Sequence, residues 1–254
     1  MKLKFSVSEI VSAFKCPMHF FLKRKGKNAF FYYPGNENLG TFVHLVLSRF
    51  AKFVKKRTLF SQDLTIDATM KKIFMEVSFS WHGNTDFEKA WQYIEPVLAY
   101  FDFITKGKSP DEIADMFVFS EKSFTVDMEN TNVTGKFDIL LKDGDTFKII
   151  DYKTRKSEID FDGIQIAIYK YAVEKTFDKK AVPLIISISD GEVYTEKFTE
   201  EEYGELIKAV HAKIREMKQI ISGEIIPERT AEKEICRHCS MRYSCETFFK
   251  EVFQ

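Results

Sequence analysis

Apolar residues first recur at helical spacing near the start of the chain, where Ile10, Ala13 and Phe14 follow a capping box of Ser6 and Glu9. This predicts a helix beginning just after Ser6. Cys16 closes it, and Pro17, whose fixed φ suits a first turn, begins the next. After the turn-rich stretch YYPGNENLG, a second helix is predicted from about Thr41 to Lys56, with Val43, Leu47, Phe50 and Val54 on one face and His44 near its beginning. From about Leu64 to Lys106 the spacing stays helical but irregular, punctuated by Trp81-His82-Gly83-Asn84. This is read as a helical insertion without an assignable motif.

The period changes after Pro110. Val118 to Val126, Val133 to Leu141 and Thr146 to Tyr152 are short runs rich in β-branched and aromatic residues, separated by Asn130-Thr131-Asn132 and Lys142-Asp143-Gly144-Asp145. A helix from about Phe161 to Thr176 follows, then strands Leu184 to Ile188 and Val193 to Phe198 across the turn Ser189-Asp190-Gly191. Thr199 and Glu202 form another capping box, opening a helix to about Ile221. Helices packed on a mixed sheet give the α/β class. One domain, 1–254, is expected. It divides into an N-terminal helical part (1–60), the insertion (61–112), a core (113–222) and a C-terminal segment (223–254).

Composition narrows the compartment. With 254 residues, 44% of them hydrophobic, the chain can bury a sizeable core. The start lacks the apolar h-region of a signal peptide, and no stretch reaches the roughly 18 apolar residues of a membrane span. A cytoplasmic, reducing location without membrane contact is the expectation. The 26 Phe and 10 Tyr are read as core, although aromatics can stack on bases. The 38 basic and 38 acidic side chains cancel, but not locally: residues 1–57 hold twelve Lys/Arg against Glu9 and Glu37, a net +10. Such an arm reads either as a phosphate-binding surface or as a solvated helix face.

The hairpin around Asp143-Gly144 carries the chemistry. If those two residues form the turn, Lys142 pairs with Asp145 and Asp138 faces Ile149. Alternation then sets Asp138 on the face of Asp151 and Lys153, with the two carboxylates diagonal neighbours about 7–8 Å apart at the backbone. Two carboxylates with an ammonium beside them suit Mg²⁺ or Mn²⁺, which takes oxygen ligands and keeps waters. The chemistry this suggests is metal-assisted phosphodiester hydrolysis; a wet polar hairpin end is the plain alternative.

Here the residues resemble a family. Asp138 followed by Asp151-Tyr152-Lys153 is similar to the PD-(D/E)xK nuclease signature in its RecB-like form. Gly40-Thr41-Phe42-Val43-His44 resembles the GxxxH helix motif of that branch, Gly135-Lys136-Phe137-Asp138 its GxxD strand, and Gln165-Ile166-Ala167-Ile168-Tyr169 its QxxxY helix. The resemblance implies a restriction-endonuclease-like mixed sheet flanked by helices. It also implies that His44, Asp138, Asp151 and the backbone carbonyl of Tyr152 hold the metal and that Lys153 positions or activates water. Gln165 and Tyr169 would face the site and touch DNA or the catalytic residues. Glu121, where the family often has an acid, is read as supporting or structural rather than a direct ligand.

The four cysteines, Cys16, Cys236, Cys239 and Cys245, form a tight CxxC-x5-C triplet plus one distant residue. Chemistry alone leaves zinc, with His238 as a substitute ligand, beside iron-sulfur. Resemblance to the CRISPR-associated exonucleases and the AddB nuclease domain implies a 4Fe-4S cluster clasping the two ends of the chain. It further implies a DNA exonuclease acting on single strands or ends, with CRISPR integration proteins as partners. A stand-alone repair or phage-encoded nuclease, and a catalytically idle iron-sulfur DNA-binding module, are the alternatives.

Overall fold

The computed structural model describes residues 2–26, 37–56, 65–153, 159–187, 192–195 and 198–252. The expected turn Ser189-Asp190-Gly191 and most of YYPGNENLG lie outside them. Among the described residues no helix is long and apolar enough to cross a membrane.

Among the described residues six strands form one mixed sheet: β1 (Lys4–Ser6), β2 (Phe117–Met128), β3 (Thr131–Asp143), β4 (Thr146–Lys153), β5 (Ala181–Ser187) and β6 (Glu192–Thr195). The long strand β3 is its centre. β2 runs antiparallel along one edge of it, while the other edge is shared end to end by β1, parallel at Asn132–Thr134, and β4, antiparallel from Ile139. β4 then pairs parallel with β5, and β5 antiparallel with β6.

Asp143 pairs with Thr146, so the turn is Gly144-Asp145, with Gly144 at φ 59°. The expected register is corrected by two residues: Asp138 aligns with Asp151 rather than with Ile149. An even displacement leaves the paired residues from Ile139 to Asp143 and from Thr146 to Ile150 on their predicted faces.

Ten helices flank the sheet among the described residues. The expected boundaries hold for α1 (Val7–Lys15), capped by Ser6 and Glu9, and α8 (Glu200–Ser222), capped by Thr199 and Glu202; α2 (Pro17–Arg24) starts at the expected Pro17, and α7 (Ile159–Phe177) begins two residues before the expected Phe161. α3 (Glu37–Lys55) begins a turn earlier than predicted, which puts His44 two turns in. The segment read as an insertion forms α4 (Ile66–Ser80) and α5 (Phe87–Thr105), broken where Trp81–Asn84 was expected to punctuate it. Pattern reading missed β1, the short α6 (Pro110–Met116), α9 (Lys233–Arg237) and α10 (Arg242–Val252).

Two cores sandwich the sheet. On one face Phe42, Leu47, Phe50 and Val54 of α3 pack with Ile73, Ile94 and Phe101 of α4 and α5 against Ile139, Leu141, Ile150 and Tyr152. The insertion helices are therefore built into the main core. On the other face Ile10 of α1, Ile166 and Ala172 of α7 and Val210 and Ile214 of α8 cover Phe137, Leu140, Ile149 and Ile185. A third cluster joins the chain's ends, with Cys16, Met18 and Leu22 against Met241 and Phe21 edge-on to Phe248 at 5.5 Å.

Gly135 has a specific packing reason. A Cβ there would lie 2.4 Å from the Phe124 ring, which stacks on Phe137 at 4.6 Å and meets Tyr169 edge-on at 5.6 Å. Gly135→Ala must push Phe124 out of that stack, and overpacking of this kind costs about 1–3 kcal/mol. We expect a melting temperature lowered by several degrees in a thermal denaturation scan; an unchanged melt would contradict the packing argument.

Candidate active site

β3 and β4 part after the Ile139–Ile150 pair, while β4 stays paired to β5 as far as Lys153. Gly135–Asp138 of β3 thus has no strand partner on that edge among the described residues. In place of a ladder bond, the Tyr152 backbone N–H donates to Asp138 Oδ2 at 2.9 Å. A strand residue turns its carbonyl to the same edge as its N–H, so the Tyr152 carbonyl faces the crevice too.

The alternation of β3 also slips here. Phe137 and Leu140 belong to the α7 side but Ile139 and Leu141 to the α3 side. Opposite the slip, Glu121 in β2 has φ 53°, a left-handed conformation uncommon for a residue of this type. The distortion aims Glu121 at Asp138 and at His44 of α3. One ligand-type atom from each of these three residues lies within 4.8 Å of the others, and His44 Nδ1 is 3.4 Å from Asp138 Oδ1. Glu121 also receives an ion pair from Lys136. Glu121, read from the sequence as supporting or structural, has its carboxylate in the close group, which does not include Asp151. Backbone strain opposite a motif Asp leaves no trace in a hydrophobicity pattern.

Asp151 sits beside the group with its carboxylate turned to α7. Lys153 Nζ lies 2.7 Å from Asp151 Oδ2 and donates to Gln165 Oε1 at 2.7 Å. Gln165 Nε2 reaches Asp151 Oδ1 at 3.2 Å and Tyr169 OH at 2.9 Å. A second carboxylate, that of the buried Asp162, is 3.4 Å from Lys153 Nζ. Asp162 was missed, although it lies three residues before Gln165 and so on the same helix face. All the predicted residues, His44, Asp138, Asp151, Tyr152, Lys153, Gln165 and Tyr169, line one groove of ≈ 970 Å³.

The electrostatics follow from burial. Asp151 is pushed up to about 6, by desolvation first and then by the charge of Asp138, with Lys153 pulling the other way. For His44 desolvation opposes the imidazolium, but the hydrogen bond and charge of Asp138, with Asp151 and Glu121, outweigh it and raise the pKa. Asp151 Oδ2 is buried and, beyond the Lys153 ion contact, lacks a well-directed hydrogen bond. An under-satisfied buried oxygen beside two more carboxylates and an imidazole fits a hard divalent cation.

The four cysteines are free thiols that line a second cleft of ≈ 350 Å³ between α2 and the C-terminal helices. Cys16 is buried and the others half-buried. No three of their sulfurs come within 4.8 Å of one another, yet the thiols of Cys239 and Cys245 are raised, by burial and then in part by Cys16.

A profile of the PD-(D/E)XK nuclease superfamily matches residues 4–246. No curated protein matches the chain. Among solved structures, a protein from Eubacterium rectale named "Putative exonuclease" superposes with a TM-score of 0.53 at 15% identity, covering 92% of this chain and 86% of its own, a likeness of fold. A structure named SSO0001 aligns at 12% identity over 89% of this chain and 95% of its own, with a TM-score of 0.35. With the profile spanning nearly every described element and the charged residues of its signature gathered in one groove, the chain belongs to the PD-(D/E)XK nuclease superfamily.

Proposed function

We propose that this chain is a divalent-cation-dependent DNA exonuclease of the RecB-like type, directed at single strands or DNA ends. The observation that carries the reading is the convergence of His44, Glu121 and Asp138 with the Asp151–Lys153–Gln165–Tyr169 network in one groove. His44, Asp138, Asp151 and the Tyr152 carbonyl, with Glu121, would hold Mg²⁺ or Mn²⁺. Bound there, the cation supplies Lewis acidity to a phosphodiester oxygen. The protein's own contribution is electrostatic and positional. Lys153 keeps an ammonium, fixed by Gln165 and by carboxylates on two sides, where negative charge grows on the phosphate, and Tyr169 fixes Gln165.

The 4Fe-4S clasp and the CRISPR-adaptation role, with integration proteins as partners, belong to the same proposal. In its support, residues from both ends of the chain line the cysteine cleft. Purified anaerobically, the protein should carry about four iron and four inorganic sulfide per chain. Cys16→Ala should lose them and aggregate; one zinc per chain, or a stable, active Cys16→Ala protein, would contradict the clasp.

The central test uses end-labelled single-stranded DNA with Mg²⁺ or Mn²⁺. Wild type should cleave it and EDTA abolish cleavage, while Lys153→Ala loses about 10²–10³-fold in kcat. Asp162→Asn, which frees one side of the ammonium, should lower kcat about tenfold with little change in KM. Cleavage by Lys153→Ala at the wild-type rate would sink the mechanism.

Asp151 makes a separate prediction in metal-free protein. Its folded pKa is raised, so the native state prefers it protonated; that stabilisation is complete below the unfolded value and is lost as pH rises through about 6. At pH 7.5 the ionised carboxylate therefore costs up to about 3 kcal/mol. Asp151→Asn should melt several degrees higher than wild type at pH 7.5 and lose that advantage towards pH 4, although it cannot cleave. A lower melting temperature for Asp151→Asn at pH 7.5 would refute the assignment.

A further inference from the structure

The groove continues past the hydrolytic residues. It is bounded on one wall by α1 and α2, which present Ser8, Ser12, Lys15, His19 and Lys23 in succession and lead to the cysteine segment at Cys236 and His238. Steps of four and three residues keep Ser8, Ser12 and Lys15 on one helix face, and His19 and Lys23 are one turn apart on α2. A turn advances about 5.4 Å, a step of the order of the phosphate repeat in an extended strand. Ser12 Oγ and His19 Nδ1 share a hydrogen bond of 2.7 Å, which ties the two helices into one surface and leaves the imidazole Nε2 for a ligand.

Negative charge is confined to one end of the same groove, where Lys136 and Lys153 accompany it. The carboxylates lining it are Asp138 and Asp151, both at the hydrolytic end; the wall beyond them carries Lys4, Lys15 and Lys23. Lys15 Nζ rests over the Phe161 ring, 4.7 Å from its centre, which holds the ammonium in a defined place on the wall. Depth matters as well. The Asp151 and Lys153 side chains are only 5% and 11% exposed, whereas Lys4, Ser8 and Lys23 stand exposed at the rim. A rigid duplex carries its phosphates on the outside of a cylinder and cannot dip one of them that far while the next lie along the wall. A single strand can.

We propose that α1 and α2 form a phosphate track for single-stranded DNA, on which Ser8, Ser12, Lys15, His19 and Lys23 hold consecutive phosphates and lead the strand from the hydrolytic site to the cysteine segment. The track rests on the nuclease reading but is tested apart from cleavage.

The experiment is fluorescence anisotropy of a labelled 20-nucleotide oligodeoxythymidylate with the full chain in EDTA, over a series of salt concentrations. Each phosphate contact adds about 0.7 to the slope of log K against log salt for a single strand. Lys15→Gln combined with Lys23→Gln should reduce the slope by about 1.4 and weaken binding roughly 25-fold at 0.1 M salt. Lys208→Gln, on α8 outside the groove, should leave both unchanged, and thermal melts establish that each variant is folded. A wild-type slope in the folded double variant would overturn the track, as would no binding by wild type or equal competition by an unlabelled duplex of the same length. If wild type binds and the double variant loses slope, but no cation supports cleavage, the track stands and the nuclease reading falls.

Discussion

The hydrogen bond from the Tyr152 backbone N–H to Asp138 Oδ2 is the constraint on which the rest of the site depends. Two antiparallel strands that separate leave backbone donors and acceptors without partners, and in a buried place that is costly. Here a side chain takes the position of the missing ladder partner. The split between β3 and β4 can therefore persist in the interior, and the crevice it opens is lined at once by a carboxylate from each strand. Because β5 still supports β4 through Lys153, the strand bearing Asp151 and Lys153 stays rigid where its other edge is free.

The same split explains why the site stores unfavourable charge. Asp138 and Asp151 come from aligned positions of neighbouring strands, and Glu121 is bent towards them from the third. Asp151 is raised first by desolvation and then by the charge of Asp138, while His44 is raised by the surrounding carboxylates against its own desolvation. A cation relieves that repulsion. The raised pKa of Asp151 and the proposed attraction for a divalent cation are two sides of one electrostatic arrangement. Lys153 does not remove the repulsion because its ammonium is divided between Asp151, Asp162 and Gln165 on the α7 side.

What could be read from the sequence divides by whether it is written in local chemistry. The capping boxes at Ser6 and Thr199 fixed two helix starts to the residue, because a cap is a contact between neighbours in the chain. Facing in the hairpin was legible although its register was not: Gly144 could occupy either turn position, but both choices differ by an even step. Glu121 and Asp162 were undervalued for the opposite reason. Their roles depend on a strained φ in one case and on burial beside a distant Lys in the other, and neither has a periodic signature. The missed β1 is three residues long and exists because β3 offers it an edge.

Gly135 ties the two sides of the site together. Its missing Cβ admits the Phe124 ring, Phe124 and Phe137 together support the edge of Tyr169, and Tyr169 holds Gln165, which in turn contacts both Lys153 and Asp151. The GxxD strand and the QxxxY helix thus form one packed unit, with each polar contact oriented by an aromatic one behind it. That chain of contacts ends at Val7, the first residue of α1, whose side chain also lies against Gly135. Helix α1 is therefore seated against the same glycine that admits Phe124, so the basic wall of the groove and the Asp151–Lys153–Gln165–Tyr169 network are packed on a common residue.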